Sequence, residues 1–175
     1  MARVVFKDRK DNEINIIIMF SENERFLSNF WPCSVTLPEE HISTPESEIH
    51  LPEMAFTSVE NAYMAWKTTD LEFRRTIQLI TAKDAKNLAL ENKIPLRIDY
   101  NNENRLKAMS MLLEQKFSDS NPELKQLLIE TAGVLIVEGN TWNDDFFGFC
   151  LNKGAGENHL GRMLMKRRDE LICGK

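Results

Sequence analysis

The chain has 175 residues, 42% of them hydrophobic, and a formal net charge of −5, enough for one well-formed core and too few to expect two. The negative balance supplies no global field that gathers phosphates, which disfavours extended wrapping of nucleic acid and leaves only a local basic pocket open. Three cysteines without a Cys-x-x-Cys pair argue against a disulfide framework and a structural zinc site, and fit a reducing, cytoplasmic setting.

The run from Ile14 to Phe20 is β-branched and bounded by charge, as expected for a buried central strand. Its longest apolar stretch is far too short to cross a bilayer, and the N-terminus has no signal-peptide pattern, so neither secretion nor membrane insertion is expected. Cys33 to Leu37 alternates like a strand. Pro38 to Glu53 is rich in proline and glutamate and holds two of the histidines, a composition that predicts an irregular, solvated loop excursion. Thr57 or Ser58 can cap a helix that runs through Lys67. A second helix starts near Asp70, with Leu71, Phe73, Ile77 and Ile80 on its apolar side, and a third spans Ala82 to Asn92. Asn102 to Phe117 has helical spacing, and Pro122 at the first position opens another helix that Gly133 terminates. Val134 to Val137 is a short strand, and a last amphipathic helix runs from about Glu157 to Leu171, with Leu160, Met163, Leu164 and Leu171 in the core.

Within Ser58-Val59-Glu60-Asn61-Ala62-Tyr63-Met64-Ala65-Trp66-Lys67, a carboxylate and an amine stand seven positions apart. Seven steps make almost two helical turns, so Glu60 and Lys67 project from nearly one face. They lie about 10 Å apart along the axis, too far for a direct ion pair and far enough for a ligand between them.

Four separated blocks together resemble one family, the NADAR or YbiA-like N-glycosidases. They are Phe26-Leu27-Ser28-Asn29-Phe30, the helix from Ser58 to Lys67, Pro95-Leu96-Arg97, and Phe146-Phe147-Gly148 with Gly156-Glu157-Asn158-His159-Leu160-Gly161. The resemblance implies a single α+β domain over residues 1–175, mainly helical with a small sheet, that hydrolyses a C–N glycosidic bond to ribose. It implies substrates such as the phosphoribosylamino-pyrimidine intermediates of riboflavin synthesis or ADP-ribose attached to guanine. Family members often carry Trp where this chain has Tyr100 and Phe147; both substitutions keep a stacking face and lose an indole donor.

Breaking a ribosyl C–N bond develops positive charge at the anomeric carbon, which a carboxylate can stabilise or relieve by activating water. Glu60 is the candidate for that role, against the alternative that it only complements a helix N-terminus. Lys67 can hold a phosphate, orient the leaving group or form a Schiff base with the opened sugar, or be an ordinary surface lysine. Asp144 completes the catalytic set by the family pattern, with a turn role as its alternative. Ser28, Asn29 and Phe30 form a candidate substrate loop, with a tight turn and core packing of Phe30 and Trp31 as the alternative. Tyr100, Phe147, Gly148 and Asn158 are the remaining substrate-contact candidates. The amides of Gly154 to Asn158 can bind phosphate at a helix start, or Asn158 can be the cap.

His41, His50 and His159 show no metal-ligand spacing and Cys150 no base partner, so neither a metal, nor another cofactor, nor thiol catalysis is expected. The ligand is expected to be a small nucleotide-like molecule, with a local contact to ADP-ribosylated nucleic acid left open. The competing class is a non-catalytic module that binds ADP-ribose or a related nucleotide, which has no need of both Glu60 and Lys67.

Overall fold

A computed structural model describes residues 3–43, 47–91 and 94–174. In chain order the elements are β1 (Arg3–Lys7), β2 (Glu13–Ile18), a 3₁₀ turn (Glu22–Leu27), β3 (Pro32–Leu37), β4 (Glu40–Ser43), β5 (Glu48–Leu51), β6 (Met54–Ser58), α1 (Val59–Trp66), α2 (Leu71–Leu79), α3 (Ala82–Glu91), α4 (Asn102–Lys116), α5 (Pro122–Ile129), β7 (Leu135–Val137), β8 (Gly139–Asn140), β9 (Phe149–Cys150) and α6 (His159–Cys173). The class is α+β, as expected. Their contacts gather into two units, one of residues 29–116 and one of the two flanking stretches. No helix among the described residues is long and apolar enough to cross a membrane.

In the unit of residues 29–116, β3 and β6 pair antiparallel with Val35 opposite Phe56 and Leu37 opposite Met54. Cys33, Val35 and Leu37 are buried along β3 and Met54 and Phe56 along β6, the period of two that a half-buried ladder requires. At the end of β6 the Ser58 backbone is still extended, and its Oγ accepts from Asn61 N at 3.1 Å, which starts α1. Every residue of α1 is buried, so it is a core helix with no solvent face. The Asn61 amide donates to Ile77 O at 2.8 Å and Ile80 O at 2.9 Å and ties the end of α2 to α1. Asp70 caps α2 through Glu72 N and Phe73 N, as its position predicts. The expected end of α3 at Asn92 lies outside the described residues.

Residues 38–53 correct the expectation of an irregular excursion. β4 and β5 form an antiparallel ladder with Glu40 opposite Leu51, His41 opposite His50, Ile42 opposite Ile49 and Ser43 opposite Glu48. The average composition masked an alternation in which Ile42, Ile49 and Leu51 turn inward and His41, Ser43, Glu48 and His50 turn out. Inward-turned Glu40 meets Arg97 through both guanidinium ends, Nη1 at 3.3 Å and Nη2 at 3.1 Å, and lies 3.7 Å from Arg74 Nη2. The expected loop residues 44–46 lie outside the described residues.

In the other unit β2 is central, with β1 antiparallel on one side and β7 parallel on the other. Only Ile17 is fully buried on β2, because short β7 pairs with Ile16–Ile18 and leaves Ile14 39% exposed. α5 ends at Ile129, earlier than expected. Gly133, at φ +75°, instead closes a further turn whose Thr131 and Ala132 amides bond Leu128 O and Ile129 O before β7. α6 buries Leu160 and Leu164 as expected, while Met163 and Leu171 are half-buried.

Candidate active site

α1 sets the geometry of the candidate site in residues 29–116. Glu60 stands in its first turn with only 4% of its surface exposed, and its backbone amide donates to Asn29 O at 2.9 Å. Lys67 follows the last turn and keeps the helical register, its amide donating to Tyr63 O at 3.3 Å. Glu60, Tyr63 and Lys67 therefore stand at i, i+3 and i+7 along one stripe of the helix.

Cations and rings surround that stripe. Lys86 Nζ, from α3, lies 3.8 Å from Glu60 Oε1 and 5.2 Å from the centroid of the Phe30 ring. Lys67 Nζ lies 5.1 Å from the centroid of the Tyr63 ring, and Arg105 Nε donates to the Tyr63 hydroxyl at 3.4 Å. Burial pushes the Tyr63 phenol up, beyond what the nearby guanidinium offsets, so it stays protonated at neutral pH. Tyr63 and Trp66 stack with centroids 5.7 Å apart, Trp66 and Tyr100 meet at 6.0 Å, and the Arg105 guanidinium sits 5.7 Å over Tyr100. These pairings line α1 with an amine beside the buried carboxylate at its start and with an amine, a guanidinium and π-faces around Tyr63 and Trp66.

The Pro95-Leu96-Arg97 block acts on this neighbourhood from behind. Arg97 N donates to Lys67 O at 2.9 Å, and the Arg97 guanidinium lies 4.8 Å over the Trp66 ring. Arg97 is also bidentate to Asp99, at 2.5 Å and 3.1 Å, beside its contacts with Glu40. A groove of about 310 Å³ opens along Trp66, Arg97, Glu40 and Lys107. Arg97 there is already paired with Glu40 and Asp99, and both carboxylates line the groove, so it is a poor place for an anion.

The sequence candidates divide between the two units. Asn29, Phe30, Glu60, Lys67 and Tyr100 belong to residues 29–116, with Asn29 and Phe30 beside Glu60 and Lys86 at the start of α1 and Tyr100 beside Trp66 toward its end. Phe30 and Trp31 are 39% and 37% exposed, which overturns the core-packing alternative for both. Asn29 Nδ2 contacts Met109 Sδ at 3.5 Å, while its Oδ1 is buried with no hydrogen-bond partner among the described residues. Ser28, in the other unit, follows the 3₁₀ turn with its amide on Arg25 O.

Asp144 Oδ1 accepts from Phe146 N at 3.2 Å and Phe147 N at 3.0 Å, the turn role weighed as its alternative. A Cβ on Gly148 would fall 2.5 Å from Asn140 Nδ2 and 2.6 Å from Glu138 O, so the backbone approaches too closely for a side chain. Phe147 is buried edge-on against Phe146. Asn158 sits at the N-cap position at φ +51° but does not cap; its side chain bonds Glu138 N at 2.9 Å and Ile136 O at 3.0 Å. Of the Gly154 to Asn158 amides expected to bind phosphate, those of Ala155, Glu157 and Asn158 donate to the carbonyls of Cys150, Asp145 and Gly148.

Tyr63, three residues after Glu60, is marked by helical spacing as part of the stripe, whereas Trp66, at i+6, joins through its stacking on Tyr63. Lys86 and Arg105 carry no local signal, since only the packing of α3 and α4 on α1 brings them in.

The NADAR domain family model matches residues 17–172. The chain belongs to the NADAR domain family. This NADAR domain is similar to a riboflavin biosynthesis protein of Vibrio vulnificus, 30% identical over 151 residues that cover 86% of this chain but only 36% of that protein. It is 32% identical to an N-glycosidase of Nostoc punctiforme over 127 residues, 70% of this chain and 79% of the relative. Among solved structures, the NMR structure of Escherichia coli YbiA matches at a TM-score of 0.69 and 26% identity, covering 91% of this chain and 86% of that one. The YbiA-like α+β fold expected from the sequence therefore holds.

Proposed function

We propose that this NADAR domain is an N-glycosidase that hydrolyses the C–N bond between ribose and an amine or base in a phosphorylated, nucleotide-like substrate. The observation that carries the reading is the buried Glu60 carboxylate with Lys86 at 3.8 Å, on a helix stripe that also bears Tyr63 and Lys67. In this reading Glu60 stabilises the developing oxocarbenium centre or takes a proton from the attacking water; the C–N bond breaks and the amine departs with a proton. Lys67 and Arg105 are suited to phosphate or to the leaving group, and a Schiff base of Lys67 with the opened sugar is the covalent version of the same step. Phe30 and Tyr100 offer rings for a base, and the buried Asn29 Oδ1 offers an acceptor to a ribose hydroxyl. Ser28, Asp144, Phe147, Gly148 and Asn158 carry no step in it.

Names of relatives support the reaction class: one relative is a riboflavin biosynthesis protein and another an N-glycosidase. We assign two candidate substrates, a phosphoribosylamino-pyrimidine and ADP-ribose on guanine. Incubation with each separately should release ribose phosphate or ADP-ribose from one of them. Tight binding of both with no release would replace the enzyme by a nucleotide-binding module.

A further inference from the structure

On the outer face of the β4–β5 hairpin, three donors converge that sequence spacing kept apart. His41 and His50 are directly opposed in the ladder, the closest placement two side chains on neighbouring strands can have. Their rings stack with centroids 4.6 Å apart and planes 19° from parallel, so one ring has to turn about its Cβ–Cγ bond for both in-plane nitrogen lone pairs to face one ion. Glu39 lies just before β4, and its Oε1 is 2.6 Å from His50 Nε2 and 3.3 Å from His41 Nε2, which puts it on their face. The donor atoms of Glu39, His41 and His50 all fall within 4.8 Å of one another.

We propose that Glu39, His41 and His50 form a surface site for a divalent transition-metal ion such as Zn²⁺. Two ligands of a tetrahedral zinc, each about 2.0–2.1 Å from the metal, are about 3.4 Å apart. The Glu39–His41 separation of 3.3 Å already matches that spacing, and the Glu39–His50 pair has to open from 2.6 Å by less than an ångström. Imidazole nitrogen with one carboxylate oxygen is a donor set for zinc, nickel or copper rather than for calcium or magnesium. All three residues are exposed, which leaves the fourth position to water and the ion an open path.

The site has a structural consequence. Glu40, the residue after Glu39, turns inward to Arg97, and Arg97 lies over Trp66 at the end of α1. A metal that ties β4 to β5 therefore stiffens the strand that holds Arg97.

Zinc chloride titrated by calorimetry into the full chain, made without a histidine tag and stripped with EDTA, should give one stoichiometric site. His41→Ala and His50→Ala should each weaken it by tenfold or more, on the order of the loss seen even for outer-shell partners. His159→Ala and Cys173→Ser should leave it unchanged, and circular dichroism of each variant checks that the fold persists. Co²⁺ in place of Zn²⁺ should give visible absorption bands that vanish in the His41→Ala/His50→Ala double variant. Uptake below one ion per chain, or uptake that survives the double variant, overturns the site.

Discussion

Replacing Glu40 by alanine tests the buried charge cluster behind α1. The carboxylate is gripped by both ends of Arg97 and stands 3.7 Å from Arg74, whose side chain is 0% exposed. Burial lowers the Arg74 pKa, and Glu40 opposes that effect, so removing Glu40 leaves a buried cation with less to hold its charge. Arg97 is better protected, because Asp99 remains bidentate to it. Removing one partner of a fully buried pair costs about 3–5 kcal/mol. Glu40 is 30% exposed and Arg97 keeps a second carboxylate, so the lower end applies, about 3 kcal/mol. For a chain of this size that is a fall in Tm of roughly 6–12 °C. Urea unfolding followed by tryptophan fluorescence reads the loss directly, with the midpoint moving and the slope unchanged. Glu40→Gln keeps an acceptor and should cost about half as much. A loss below about 1 kcal/mol for Glu40→Ala, the range of an ordinary surface pair, would show that the cluster is solvated and refute the reasoning.

Asn61→Ala should destabilise by about 2–4 kcal/mol in the same assay, because the buried Ile77 carbonyl and the part-buried Ile80 carbonyl both lose their donor; a change under 1 kcal/mol contradicts the tie between α1 and α2. Gly148→Ala should cost about 1–3 kcal/mol through overlap with Asn140 and Glu138, and a neutral result in thermal melts would mean that the turn can widen. Burial pushes the Asp99 carboxyl up, but the hydrogen bonds and charge of Arg97 outweigh it and hold it below its ordinary 3.8. Its contribution is therefore present above pH 3.8 and lost as pH falls through the lower folded value, so Asp99→Asn should flatten the acid limb of stability against pH. An unchanged acid limb counts against the Arg97 pairing.

Local chemistry was legible in the chain, and contacts made by distant segments were not. Ser58 and Asp70 cap the helices they were expected to start, because a cap needs only its own first turn. β1 and β6 are fixed by their pairing with β2 and β3, which the chain does not show locally. The β4–β5 hairpin was hidden by proline and glutamate, which lowered the average while the inward positions remained apolar apart from Glu40. At the site, the stripe of Glu60 and Lys67 followed from helical periodicity alone. Lys86 and Arg105 could not, because nothing local to either distinguishes it from a solvated surface residue. Nor could the sequence show that the Glu157 and Asn158 amides before α6 bond the carbonyls of Asp145 and Gly148, because those carbonyls are placed by the fold.

The catalytic assignment of Glu60 is tested most directly by single-turnover release of ribose phosphate from the phosphoribosylamino-pyrimidine, or of ADP-ribose from modified guanine, by Glu60→Gln beside the parent protein. The variant is isosteric, so circular dichroism should match and substrate binding should persist. Its release rate should fall by about 10²–10⁴, the usual share of a general acid–base group. A folded Glu60→Gln protein that turns over at the parent rate contradicts the catalytic role of this carboxylate.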